Sequence, residues 1–532
     1  VDTTTAEQDR FPRPAVERRT ALRAGGVALA GAWLTACTGK DAGDAKPSSG
    51  STGTSVATGT PAAPTTKPAP VKADWPALAH SLHGDLVRPQ DAAYAVDHRL
   101  YNTRFDGLRP AAVAYVTGDA DIRTCLDFAR RTRTPLAIRS GGHSYAGWSS
   151  GDRRLIVDVS RLNSIRLDGT TAVIGAGARL IDVYSTLGRH GRTVPGGSCP
   201  SVAISGLTLG GGHGVLSRSM GLTCDNLTGA TIVTADGRTR EVDADHEPDL
   251  FWALRGAGNG NFGVVTSLRF ATHPVPASVV TGYLTWSWSH AAGVVRAWQD
   301  WGPGQDDAIW SSLHLDCDAG GSPTISVPML STGSRSGLAA AADALANASG
   351  APASSVSVHT HDYVDVMFDY AGCSGLSATA CHLAPRGTLG RETYTARSDF
   401  FDANLSSSGI QTLLDQTARL ANSPGGSGKG SIDLTALGGA VNRPSPTATA
   451  FPHRSSRFLA QYIAADAVAS TSWLDTTHSA MRRYASGGAY ANYTDPTLTT
   501  WRTAYYGQNA SRLTSLKTSL DPDRLFDFPQ AL

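Results

Sequence analysis

Arg139-Ser140-Gly141-Gly142-His143-Ser144-Tyr145 and Gly196-Gly197-Ser198-Cys199-Pro200 are the stretches that decide how this chain reads. Each sets one nucleophilic side chain, His143 or Cys199, beside a glycine turn. The first follows Pro135-Leu136-Ala137-Ile138, which reads as a strand. Successive glycines after a strand let backbone N–H groups converge on an anion without Cβ obstruction, and a diphosphate is the natural guest. Alone, the segment reads equally well as a tight turn carrying a surface histidine.

Two further glycine segments narrow the choice. Gly206-Leu207-Thr208-Leu209-Gly210-Gly211-Gly212-His213-Gly214 suggests backbone passing close to a flat ligand or another backbone. Val202, Ile204, Leu207 and Leu209 border it, which argues for a buried, shaped segment. Asp249 to Thr266 starts helix-like, passes through glycines and enters a strand. Other chemistries fail on their own motifs. Gly175-Ala176-Gly177 has Leu180 where a dinucleotide fingerprint needs glycine, and Gly428-Lys429 is followed by Gly430 where a P-loop needs Ser or Thr. Gly426-Ser427-Gly428 lacks the spacing of a nucleophile elbow. No C-x-x-C pair suggests zinc, and His359 with His361 reads as a solvated pair.

The remaining chain is consistent with an exported protein of more than one core. Its 532 residues carry a net charge of +1, which suggests no nucleic-acid partner. Arg18-Arg19, an apolar run from Ala24 to Ala36 and Leu34-Thr35-Ala36-Cys37 resemble a twin-arginine signal ending in a lipobox. Residues 1–36 are therefore expected to be cleaved and Cys37 lipidated. Residues 37–72 read as a flexible tether poor in large apolar side chains. The apolar run is too short for a lasting membrane span, so the membrane is expected to be met only through the lipid. Cys373 and Cys381, flanked by Gly372, Ser374 and Gly375, read as a disulfide. Cys125 and Cys224 read as buried thiols.

Beyond the tether the pattern is α+β. Strands are expected at Ala112–Val116, Leu155–Val159 and Ala172–Ile174. Helices are expected from a cap at Asp119–Asp121 through Arg131, and from Leu180 to His190. Residues 73–273 form the first expected domain. Residues 274–484 are expected to build an antiparallel sheet with helices on one face, including a strand at Tyr283–Trp288 and a helix at Ser336–Ser349. The tryptophans from Trp286 to Trp310 read as core or, less simply, as a sugar-stacking face. Residues 485–532, with a final helix from Thr499 to Ser519, are expected to return to the first domain.

The motifs, in this order and spacing, resemble the berberine-bridge-enzyme-like FAD-linked oxidases of the vanillyl-alcohol-oxidase superfamily. The resemblance runs from about Arg104 to Leu532. It is specific at Arg139–Tyr145, Pro195–Gly214, Asp249–Thr266 and Tyr490-Ala491-Asn492-Tyr493 with Ala504-Tyr505-Tyr506-Gly507, and weak between Pro274 and Tyr484. It implies a PCMH-type FAD-binding domain of two α/β subdomains and FAD held bicovalently, through His143 to the flavin C8 methyl group and through Cys199 to C6. Arg139, Ser140, Gly141, Gly142 and Ser144 are then expected around the diphosphate. Gly206, Gly210, Gly211 and Val265 are expected to line the cofactor through backbone, with Asn492 and Tyr493 beside the flavin. Tyr493, then Tyr490, is the implied base, with His213 assisting or shaping the pocket. Val202 implies oxygen access.

The expected function is therefore an exported, monomeric oxidase of an alcohol or sugar-type hydroxyl, using O2 and no metal. A dehydrogenase, a secondary-metabolite oxidase or cyclase, or a flavin-containing binding lipoprotein are the alternatives.

Overall fold

A computed structural model describes residues 69–422, 428–465 and 468–532, without the side chains of 466–471. The signal-like segment, Cys37 and the tether up to residue 68 lie outside the described residues. The first sheet has four strands, in the order Asp85–Val87, Ala112–Tyr115, Leu155–Asp158, Leu136–Arg139. The last three are parallel, and the edge strand Asp85–Val87 is antiparallel. Helix Asp119–Thr132 supplies the crossover between Ala112–Tyr115 and Leu136–Arg139. It buries Ile122, Cys125, Leu126 and Ala129, one stripe at helical spacing. Its start differs from expectation. No side chain caps it, and Gly118 holds the N-cap position. Asp121 instead turns back and accepts N–H bonds from Thr117, His83 and Gly84.

A second, antiparallel sheet follows the order Ile165–Asp168, Thr171–Gly175, Gly263–Ala271, Leu227–Thr234, Thr239–Val242. Its central strands bury Ile174, Ile232, Val264 and Leu268 in the core shared with the first sheet.

The third sheet is antiparallel throughout and has seven strands. In order they are Ser355–His361, Val279–Trp286, Thr324–Ser331, Ile309–Asp318, Lys429–Ala436, Phe458–Ala465 and Tyr394–Phe401. Helices Ala291–Gly304, Arg335–Ala348, Ser407–Ala421 and Val468–Arg482 pack on it. The side-chain period of two explains the division of faces. Along Lys429–Ala436, Gly430, Ile432, Leu434 and Ala436 are buried, while Lys429, Ser431, Asp433 and Thr435 are half-buried.

Of the two readings of the tryptophans the core one holds, and one expectation is corrected here. The tryptophans do not form an open platform. Trp286, Trp298 and Trp301 sit in the core between sheet and helices, their indole N–H groups bonded to Ala351 O, Ser311 Oγ and Ala341 O. The strand ends at Trp286, and Trp288 begins a short 3-10 turn. The final helix is also broken. Gly507, at φ 48°, separates Trp501–Tyr506 from Ala510–Leu520, so the chain turns and packs Tyr505, Tyr506 and Leu513 into the first core.

Candidate active site

The site is assembled from two loops of the first domain, one face of the seven-stranded sheet and the segment after residue 488. Strand Leu136–Arg139 exits into the His143 loop. The Gly142 carbonyl accepts the Tyr101 N–H at 3.0 Å, which lays the Tyr101 ring on His143 with centroids 4.0 Å apart. The second loop carries Cys199 and runs into helix Ile204–Leu209. Arg179 braces the pair: its Nη1 donates to Ser140 O at 3.3 Å and to Ser201 O at 3.1 Å. His143 Nε2 lies 2.9 Å from Ser201 Oγ, and hydrogen bonds from Ser201 and Val202 turn toward the Cys199 thiol. Burial and the Arg179 charge hold the His143 imidazole down at about 3, so it is neutral at ordinary pH. Burial and then Glu392 push the Cys199 thiol up to about 11.

The Gly210–Gly214 segment packs against the Cys199 loop from the far side. A Cβ on Gly214 would lie 1.9 Å from Gly196 O, so only glycine permits this approach. The segment places His213, whose Nε2 is 2.8 Å from the Tyr493 hydroxyl. Burial lowers the His213 imidazole to about 4 and raises Tyr493 well above the usual phenol range. Tyr145 stacks on Tyr493 at 5.1 Å and meets Tyr394 edge-on at 5.2 Å. Gln461 Nε2 donates to the Tyr145 hydroxyl at 2.9 Å. Beyond Gln461 the polar face of the sheet continues. His314 lies 3.9 Å from Asp433, and burial followed by the Asp433 charge raises the Asp316 carboxyl.

The expected site residues thus separate by role. His143 and Cys199 face His213 and Tyr493 across an aromatic group: Tyr101 stacks on His143 and meets Tyr394, and Tyr145 links Tyr394 to Tyr493. Tyr490 is part of the scaffold. It is 2% exposed, and its hydroxyl accepts N–H bonds from Gly212 at 2.8 Å and Asn492 at 2.9 Å. Asn492 also spends its amide within the protein, donating to Leu207 O and accepting from Asn259 Nδ2. Gly210 and Gly211 owe their missing side chains to protein neighbours. A Cβ at 210 would meet the Asn492 and Asn259 amides, and one at 211 would crowd Phe451 and Tyr490. The Ser144 hydroxyl accepts the Trp148 N–H, closing its own turn. Val265 is buried in the second sheet, and Val202 packs at the edge of the first core.

The residues present fit a large anionic flavin nucleotide. Arg139 is buried and paired with Asp158, yet its Nη1 has no partner. The Ser149 and Ser150 hydroxyls and His213 Nδ1 are likewise buried without partners. A Cβ on Gly206 would find only Ser140 Oγ, at 3.6 Å. These leave unmet donors and open space beside the His143 loop.

Comparison with known proteins agrees. Residues 110–243 match the family described as FAD binding domain, and residues 489–532 match the one described as berberine and berberine like. The uncharacterized FAD-linked oxidoreductase YgaK of Bacillus subtilis is 31% identical over 434 residues, covering 80% of this chain and 91% of that protein. This chain belongs to the berberine-bridge-enzyme-like FAD-linked oxidoreductases. Chitooligosaccharide oxidase of Gibberella zeae is 30% identical over 477 residues, covering 84% of this chain and 92% of its own. The structure of xylooligosaccharide oxidase from Myceliophthora thermophila, solved with xylobiose, superposes with a TM-score of 0.77 at 28% identity. It covers 86% of this chain and 99% of that one.

Sequence reasoning missed Tyr101, Arg179, Ser201, Glu392, Tyr394 and Gln461. Ser201 stood two residues from Cys199 and carried a usable signal. Tyr394 and Gln461 carried none, because only sheet topology brings them to the cleft. Among the described residues no helix is long and apolar enough to cross a membrane, and no cluster could hold a metal ion.

Proposed function

We propose that this protein is an exported oxidase that removes two electrons and two protons from an alcohol or sugar-type hydroxyl and passes the electrons to O2, forming H2O2. The observation that carries this reading is the half-buried Tyr493–His213 pair, 2.8 Å apart, with the Tyr145 ring stacked on Tyr493. FAD, when bound, supplies the hydride acceptor. Tyr493 receives the substrate hydroxyl proton while its own proton moves to His213 Nε2, so no free phenolate has to form in a buried site. His213, neutral at ordinary pH, has the lone pair this relay needs. Tyr145 and Tyr394 offer ring faces and edges to a sugar or similar ring, and Gln461, Asp433 and His314 offer polar contacts. The sugar oxidases among the relatives support a carbohydrate substrate.

Tethering of FAD through His143 and Cys199 is part of the same reading. It is supported by two nucleophiles meeting at one hydroxyl, Ser201. Oxygen access past the small Val202 follows the family resemblance. Export and lipidation at Cys37 rest on the Arg18-Arg19 and Leu34–Cys37 sequence. The Cys373–Cys381 disulfide, with Cα atoms 5.7 Å apart, suits an oxidising compartment.

The test is direct. Purified protein should be yellow, keep its colour through acid precipitation and release peroxide with members of a panel of oligosaccharides and alcohols. Colour lost on denaturation refutes the tethering. No peroxide and no anaerobic bleaching with any panel member refutes the oxidase.

A further inference from the structure

His143 and Cys199 share one neighbour. His143 Nε2 faces the Ser201 hydroxyl at 2.9 Å, and the ring is also hydrogen-bonded to the Ser201 backbone. A bond that favours the protonated ring is one in which a ring N–H donates to the Ser201 carbonyl. In the tautomer that donates Nε2–H to the Ser201 hydroxyl, Nδ1 keeps its lone pair. A hydroxyl that accepts from Nε2–H retains its own proton for another acceptor. That acceptor is the Cys199 sulfur, toward which the Ser201 hydroxyl and the backbone N–H groups of Ser201 and Val202 all turn. Donors aimed at a sulfur stabilise the thiolate, the nucleophilic form. The arrangement is fixed from behind, because Arg179 Nη1 binds the Ser201 carbonyl and the Ser140 carbonyl together. Burial and Glu392 outweigh these donors, so the Cys199 thiol remains at about 11, and the donors hold the sulfur in place and ease its ionisation during attachment.

We propose that Ser201 is the positioning residue for flavin self-attachment, its single hydroxyl presenting both the bare Nδ1 of His143 and the sulfur of Cys199. This rests on the reading that both side chains become linked to FAD. At Cys199 an Sγ–C bond replaces a ring C–H bond. At His143 an Nδ1–C bond replaces one C–H of a ring methyl group, and the imidazole proton leaves from Nε2 toward Ser201 Oγ. Each replacement releases one proton from the side chain and one from the flavin carbon. Each leaves two electrons in the ring, and O2 carries them and two protons away as H2O2.

The test uses apoprotein from riboflavin-starved cells, mixed with FAD in air. Each linkage is followed by intact and peptide mass. The pH dependence of Cys199 alkylation by iodoacetamide is read on the same folded apoprotein. Ser201→Ala and the Thr-shaped Ser201→Val should each slow both linkages by about tenfold or more, the worth of a hydrogen bond to a charged group, and move Cys199 alkylation to higher pH. Ser201→Thr should restore the rates and the profile. The proposal is overturned if Ser201→Val links at the Ser201→Thr rate, if only one of the two linkages slows, or if the alkylation profile does not move. Wild-type protein that never retains flavin after denaturation refutes the tethering reading itself, and this one with it.

Discussion

Two tyrosines three residues apart, Tyr490 and Tyr493, show how environment assigns chemistry. Tyr490 accepts two N–H bonds and lies at 2% exposure, so its oxygen is committed to holding Gly212 and Asn492. Tyr493 has His213 as its hydrogen-bond partner at the cleft. Tyr493→Phe should therefore lower kcat by about a hundredfold or more, the usual worth of a positioned acid–base group. Flavin content, read by absorbance after denaturation, should not change. The relay also fixes a pH dependence. His213 must be neutral to accept a proton, and burial lowers its pKa from 6.5 to about 4. The acid limb of kcat/KM should fall near pH 4. A limb near 6.5 would mean that burial does not lower the His213 imidazole in the working enzyme.

The glycine loops work as close-packed elements. Gly214 touches Gly196, and Gly210 lies under the Asn492 and Asn259 amides, so the His213 loop, the Cys199 loop and the segment after residue 488 form one layered unit. Gly214→Ala would drive a methyl group into the Gly196 carbonyl. Most of the protein is expected to lose flavin or solubility, measured as flavin absorbance per mole of soluble chain. This layering explains what the sequence revealed. His143, Cys199 and His213 each sit inside a short glycine motif, so chain order alone announces them. The sheet half of the cleft has no such compression. Tyr394, Asp433 and Gln461 lie on three different strands; Gln461 stands opposite Asp433, and Tyr394 lies four residues before Ser398, the other partner of Gln461, and so on the same face. The tryptophans left two readings open for a related reason. A run such as Tyr283–Trp286 alternates whichever face is apolar, and the pattern does not say whether that face meets helices or substrate. Here the helices take Trp286.

Across the molecule, the last residues pack into the first core, and buried ionisable groups lie against them. His453 stacks on Phe400 at 4.0 Å and is held neutral, burial lowering it to about 3. The unfolded chain protonates it near 6.5, so below that pH the unfolded state gains protons that the folded state refuses, and stability falls as pH drops toward 3. His453→Gln should flatten part of the loss between pH 7 and 5 in denaturant titrations. Lys517 makes the opposite case. Its Nζ donates to Asn261 O at 2.7 Å, Phe526 O at 2.8 Å and Asp521 Oδ2 at 2.6 Å, and Asp521 also accepts the N–H groups of Leu525 and Phe526. Both side chains are almost wholly buried. A Met in place of Lys517 keeps the volume but strands the Asp521 charge and two carbonyls, and breaking such a buried pair costs about 3–5 kcal/mol. Replacing the pair by Lys517→Met with Asp521→Asn should recover part of that, because the stranded charge is gone and the amide oxygen still accepts one of the Leu525 and Phe526 N–H groups. Denaturation midpoints of the two variants decide between them. If the single variant matches wild type, the pair does not hold the C-terminal segment to the Asn261 loop.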